Sequence, residues 1–202
     1  TGGNFNNATA TLALTADAAQ TIDVGGTLTV QGGTGAAVSG SVASIVGRGT
    51  QSIDANAIAI TSGAAGTGNS ARIDNQPGSG SGTTTLRANT TITETNNAGG
   101  RAFIGDATGT LGNVGVNLQA GGNIAIGSSL AVGGTAGIAM TADAAFAAGQ
   151  LWAANTFFAG SAQSAAVASN SAGDIAFTAP VAGTTVQTTN GAITLTGVNI
   201  SA

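Results

Sequence analysis

A short phrase keeps returning along this chain: two larger apolar residues flank one small or polar residue, usually with a glycine one or two residues before and threonine or glycine just after. The clear copies are Leu28-Thr29-Val30, Ile58-Ala59-Ile60, Ile124-Ala125-Ile126, Ile138-Ala139-Met140, Ile175-Ala176-Phe177 and Ile193-Thr194-Leu195. Weaker copies stand at Leu12-Ala13-Leu14, Thr91-Ile92-Thr93 and Val114-Gly115-Val116. Period-two alternation in runs this short describes half-buried strands, with one set of side chains turned inward and the other outward.

Spacing selects the architecture. Copies starting at Leu12 and Leu28 lie 16 residues apart, those at Ile124 and Ile138 lie 14 apart, and those at Ile175 and Ile193 lie 18 apart. The gap of 30 from Leu28 to Ile58 reads as two steps, with a degenerate copy, Ser44-Ile45-Val46, between them. These intervals predict an all-β fold, a parallel β-helix (β-solenoid) with irregular coils of roughly 14–20 residues, each too thin to bury its inner face without neighbours. An antiparallel β-sandwich is the alternative for short strands at regular spacing. Long Gly, Ser, Asn and Ala connections, only two prolines (Pro77 and Pro180) and few two-residue hairpin signals favour the solenoid. Glycine and asparagine then take the corners, where they tolerate left-handed turns and asparagine side chains can stack in ladders. A longer echo points to internal duplication: Leu12-Ala13-Leu14-Thr15-Ala16-Asp17-Ala18-Ala19 returns as Ile138-Ala139-Met140-Thr141-Ala142-Asp143-Ala144-Ala145, with six identities in eight positions.

Composition explains why such a chain needs stacking. Of 202 residues, 34 are glycine and only 3% are aromatic, so bulky packing is scarce and the main chain must supply much of the cohesion. Disorder is disfavoured because only 6% of residues are charged and the mean hydropathy is +0.30, whereas disordered chains combine low hydrophobicity with high net charge. The net charge of −4 comes with no basic patch to neutralise phosphates, so nucleic acid is not an expected partner. No apolar run approaches the length of a membrane span.

The same inventory limits chemistry. Without histidine, cysteine, lysine or tyrosine, a serine nucleophile lacks its usual base, a Schiff base cannot form, and nitrogen or sulfur ligands for zinc are missing. Two carboxylates can still hydrolyse a glycoside, with Asp17 and Asp23 or Asp54 and Asp74 as the candidate pairs. Neither pair has a distinctive spacing, so the acids read as isolated groups at turns and on the outer face. No catalytic, cofactor-binding or metal residue is therefore assigned, and no cofactor is expected. Arg72-Ile73-Asp74 reads as an outward surface charge pair. Alternate threonines such as Thr27/Thr29 and Thr91/Thr93 resemble an ice-binding face, although threonine is in any case a good strand residue.

Gly122-Asn123-Ile124-Ala125-Ile126, Gly173-Asp174-Ile175-Ala176-Phe177-Thr178 and Gly191-Ala192-Ile193-Thr194-Leu195-Thr196 resemble the repeats of filamentous-haemagglutinin-type bacterial exoproteins and adhesins. The resemblance implies a right-handed parallel β-helix, secretion to the extracellular space or cell surface, and an adhesive or fibrous role. Residues 1–202 read as one elongated module, with a flexible Gly/Ser loop at 76–83 and an Ala/aromatic-rich excursion at 142–172. That excursion holds Phe146, Trp152, Phe157 and Phe158, four of the seven aromatics, and is the candidate assembly interface because large aromatics dominate interface energetics. The expected function is non-enzymatic: a self-assembling fibre subunit or adhesin stalk. Its partners are then further copies in a head-to-tail homopolymer, or other cell-surface components. The alternative is a glycan- or surface-binding module of a larger secreted adhesin. If the aromatic segment drives assembly, Trp152→Ala lowers filament yield in electron micrographs more than Phe5→Ala does; equal yields remove that role.

Overall fold

The computed structural model describes residues 6–35, 39–77, 81–95, 97–105, 113–126, 129–131, 138–141, 175–177, 185–187, 193–196 and 200–201. Among these, all regular structure is β. The strands are β1 (Thr9–Ala13), β2 (Gln20–Gln31), β3 (Val42–Gly47), β4 (Thr50–Thr61), β5 (Ala71–Asn75), β6 (Ser81–Ala88), β7 (Ile92–Thr95) and β8 (Ala102–Gly105). They continue as β9 (Asn113–Ala120), β10 (Ile124–Ile126), β11 (Ser129–Ala131), β12 (Ile138–Thr141), β13 (Ile175–Phe177), β14 (Thr185–Gln187), β15 (Ile193–Thr196) and β16 (Ile200–Ser201).

Pairing orders them into a three-sided parallel β-helix. The first side is the sheet β1-β3-β5-β8-β11-β14. The second and third sides form one bent sheet: β4 pairs with β6 through Thr50–Ala55 and with β7 through Ile58–Thr61, while β2 pairs along both halves of β4. Later coils build the second side from β6, β9, β12 and β15 and the third from β7, β10, β13 and β16. Every ladder is parallel, and an isolated bridge from Ala18 to Arg48 is the antiparallel exception among the described residues. This excludes the sandwich, whose strands pair antiparallel.

The coils are longer than the phrase spacing predicts. Gln20 stacks on Gln51, 31 residues away, and Gln51 on Thr84, 33 residues away. An interval of 14 to 18 residues is instead a step from one side of the helix to another: Leu12 lies on β1 and Leu28 on β2. Ser44-Ile45-Val46 is the first side of its coil, not a coil of its own. The phrases starting at Leu28, Ile58, Ile124 and Ile175 all fall on the third side, and those at Ile138 and Ile193 both on the second. Alternation looks alike on every side of a coil, so only the pairing register separates sides from coils. The echo between Leu12 and Ile138 likewise joins inequivalent places, β1 on the first side and β12 on the second.

Inside, like stacks on like. The inward columns are Leu12, Ile45, Ile73 and Ile104 on the first side, Ile22, Ile53, Leu86, Leu118, Met140 and Leu195 on the second, and Leu28, Ile58, Ile92 and Ile124 on the third; the backbone register carries the first on to positions 130 and 186 and the third on to positions 175 and 200. Ile53, Ile73, Leu86, Ile92, Ile104, Leu118 and Ile124 are closed to solvent. Each such side chain contributes about 1.5–3 kcal/mol relative to leaving it exposed. Beside them run alanine columns, Ala43-Ala71-Ala102 and Ala55-Ala88-Ala120, which keep the interior narrow enough for the aliphatic columns to meet.

Corners close the coils with polar groups that satisfy one another. Where the first side turns into the second, Gln51 Nε2 donates to Gln20 Oε1 at 2.8 Å and Thr84 Oγ1 donates to Gln51 Oε1 at 3.0 Å. Asn75 Nδ2 donates to the Gly49 carbonyl at 2.7 Å, and Gly49 N–H returns a bond to Asn75 Oδ1. All four side chains are buried, so their mutual bonding offsets the loss of water. The asparagine ladder expected at the corners is short, a 3.5 Å contact from Asn89 Nδ2 to Asn56 Oδ1. Of the expected loop at 76–83, Pro77 is buried, 78–80 lie outside the described residues, and Ser81 already opens β6.

At the third-to-first corner the main chains approach closely. A Cβ on Gly63 would collide with the Gly33 carbonyl oxygen and the Asn69 side chain, whereas one on Gly26 would meet nothing within 4 Å. Gly63→Ala is therefore expected to cost about 1–3 kcal/mol by overpacking. Gly26→Ala should be neutral or stabilising by up to about 1 kcal/mol through the unfolded chain. Urea midpoints of the two variants check the contrast.

Candidate assembly surface

The first coil, β1 and β2, is the outermost described layer of the stack. Among the described residues, β1 pairs with β3 and β2 with β4, and neither has a strand on its other edge. Those edges present main-chain N–H and C=O groups available to another strand. The apolar interior opens with them. Leu12 is 54% exposed although Ile45, the next residue in its column, is 6% exposed. Around it lies a cavity of about 310 Å³ lined by Ala10, Thr11 and Leu12 of β1, Leu28, Thr29 and Val30 of β2, and Ala43, Ser44 and Ile45 beneath.

The usual devices that blunt an edge are few here. Neither β1 nor β2 contains proline, lysine or arginine, and Asp23 is their one charge. The irregularity in β2 is a bulge at Gly25-Gly26, where the register steps from Val24 on Ala55 to Thr27 on Ala57. The turn between β1 and β2 is tied to the second coil by Arg48 Nε donating to Asp17 Oδ1 at 3.3 Å, an exposed pair worth under about 1 kcal/mol.

The acids take places that spacing alone did not indicate. Asp17 pairs with Arg48, not with Asp23, and Asp54 and Asp74 lie in different sheets. Register instead sets Asp23 beside Asp54, with Arg87 on Asp54's other flank. Arg87 grips Asp54 with both arms, Nε to Oδ1 at 2.6 Å and Nη2 to Oδ2 at 2.7 Å, and Nη2 also reaches Ser52 Oγ at 3.0 Å. Burial raises the Asp54 carboxyl above its ordinary 3.8; the hydrogen bond and charge of Arg87 pull it down, and the Asp23 charge adds to the rise. Asp74 is fully buried and accepts from Gln76 Nε2 at 2.6 Å, which corrects its assignment to an outward surface pair. Glu94 is the acid the sequence hid: it is 2% exposed at an inward position otherwise held by Val30, Ile60 and Ile126. No local signal marks it, because an acid two residues after Ile92 reads as a strand end.

Among the described residues no group of three or more acids, histidines or cysteines stands close enough to hold a metal, and no helix is long and apolar enough to cross a membrane. Threonine arrays are interrupted: Thr29 stacks on Ala59, Ala59 on Thr93, and Thr93 on Ala125. Phe146, Trp152, Phe157 and Phe158 lie outside the described residues. The chain that carries them leaves β12 at Thr141 and returns at Ile175 of β13, at the second-to-third corner. Other coils cross this corner in Asn89-Thr90-Thr91 or Gly121-Gly122-Asn123. Comparison with protein-family models, curated proteins and solved structures finds no match to this chain.

The raised Asp54 value has a consequence for stability. The folded state holds this proton to higher pH than the unfolded chain, so the group's contribution is fully present below 3.8 and is lost as pH rises through the folded value. Asp54→Asn abolishes that tilt, because its amide does not titrate, and its Oδ1 can still accept a hydrogen bond from Arg87. The melting temperature of the natural chain relative to Asp54→Asn should therefore fall as pH is raised from below 3.8 to neutral. A constant or rising difference contradicts it.

Proposed function

We propose that this chain is a non-enzymatic structural protein of the extracellular space or cell surface, a β-solenoid rod acting as a self-assembling fibre subunit or as a section of an adhesin stalk. The observation that carries the reading is the parallel ladder that joins successive coils into a rod, which among the described residues leaves strand edges on β1 and β2. Edges of this kind template further strands, and a surface with few charges opposes association weakly. The glycine-preceded strand phrases, similar to those of filamentous-haemagglutinin-type exoproteins, support the extracellular assignment. A side-chain inventory without histidine, cysteine, lysine or tyrosine favours a structural over a catalytic role.

Sedimentation and negative-stain electron microscopy over a range of concentrations test self-assembly. Filaments that lengthen with concentration are the expected result, with a strand repeat of about 4.8 Å along the fibre axis in diffraction. Monomeric particles at every concentration would remove the fibre reading and leave the stalk.

A further inference from the structure

Four arginines are the only cationic side chains of this chain, and the fold sorts them into two kinds. Arg48 and Arg87 are paired with Asp17 and Asp54. Arg72 and Arg101 form no ion pair among the described residues, and they stand together inside the stack, on the third and fourth coils. Ala71 pairs with Ala102 and both are closed to solvent, so alternation turns Arg72, Arg101 and Phe103 outward on the first side. Arg72 is in register with Phe103, one strand spacing of about 4.8 Å away, and Arg101 lies two residues before Phe103 on its own strand line. The two arginines are therefore diagonal neighbours, about 8 Å apart at the main chain, beside one half-buried aromatic ring. The Arg72 Nε is buried and has no hydrogen-bond partner among the described residues, a state that is destabilising for a charged donor. Asp74, two residues on and on the same alternation, is held instead by Gln76 Nε2 at 2.6 Å.

We propose that Arg72, Arg101 and Phe103 form a binding site for the carboxylate of an acidic sugar, a uronate unit within a glycan. This goes beyond the structural role proposed above and does not depend on self-assembly. A carboxylate is planar and offers two oxygens to the guanidinium fork of Arg72. No ion pair among the described residues holds that guanidinium, so it can turn outward, and turning gives the buried Nε the partner it lacks. Exposed Arg101 meets the same charge from the diagonal position, and the Phe103 ring receives the apolar face of the sugar. Two further observations select this class of ligand. The chain carries −4 overall and only two unpaired cations, too few for nucleic acid or a densely sulfated chain, which bind by neutralising many charges. Both strands are also paired on both edges, β5 with β3 and β8, and β8 with β5 and β11. Their main chain has no edge for an acidic peptide to join, so recognition falls to side chains.

Calorimetric titration of the full chain with galacturonate and glucuronate trimers, a neutral galactose trimer, a glutamate tripeptide and inorganic sulfate tests the site. The expected result is one uronate site per chain, with the neutral trimer, the tripeptide and sulfate each at least about tenfold weaker. Arg72→Gln and Arg101→Gln should each weaken uronate binding about tenfold or more while leaving the melting temperature nearly unchanged. Arg72→Lys keeps the charge but not the fork and should still lose about fivefold or more. Arg48→Gln, which removes the same charge from a paired arginine, should leave the affinity as it is. Failure of both uronates to bind overturns the proposal, as does equal binding of the neutral trimer. Sulfate as tight as uronate, with Arg72→Lys unaffected, replaces it with unselective anion binding, and a tripeptide as tight as uronate overturns the assignment to a sugar.

Discussion

The parallel main-chain ladder between successive coils is the constraint on which the rest of this molecule depends. It sets each residue about 4.8 Å from its counterpart in the next coil, so every inward choice is repeated along the axis. A large aliphatic residue at one position asks for another above and below it, and the columns through Ile73, Leu86 and Ile92 answer that demand. A polar inward residue must likewise find a polar neighbour in the adjoining coil, which Gln20, Gln51 and Thr84 do by hydrogen bonding in series. Charge follows the same rule on the other alternation: Asp54 inherits Asp23 as an unfavourable neighbour and Arg87 as the group that offsets it.

Small residues are what allow the ladder to close three times per coil. Alanine columns thin the interior, and glycine at the third-to-first corner lets main chains pass where no Cβ fits, as at Gly63. Ordering glycine is entropically costly, and the cohesion that offsets it comes from backbone hydrogen bonds and narrow aliphatic columns in place of aromatic packing. Glu94 departs from this logic, a carboxylate at a position where the neighbouring coils place Ile60 and Ile126.

Burial in a rod built this way depends on the neighbouring coils. Ile45 and Leu12 share a column and a chemistry, yet one is closed and the other open, because among the described residues only Ile45 has strands on both sides. On a rod of this kind, association along a strand edge needs shape and main-chain complementarity more than functional side chains.

Much of this was legible in the sequence. Short alternating phrases, glycine-rich connections and scarce bulky residues specified strands, and their recurrence specified a solenoid, because period-two alternation and repetition are written in the chain itself. The coil length was not legible. The phrases at Leu12, Leu28 and Ile58 look alike locally, and only pairing reveals that Leu28 stacks on Ile58 while Leu12 stacks on Ile45. The partners of the acids were hidden for the same reason: Asp54 and Arg87 are neighbours because they are one coil apart, a distance unknown until the register is fixed. Composition and alternation belong to single strands and so are decided by the sequence alone. Register and the company each charge keeps belong to contacts between strands about thirty residues apart, and these are decided only when the coils close upon one another.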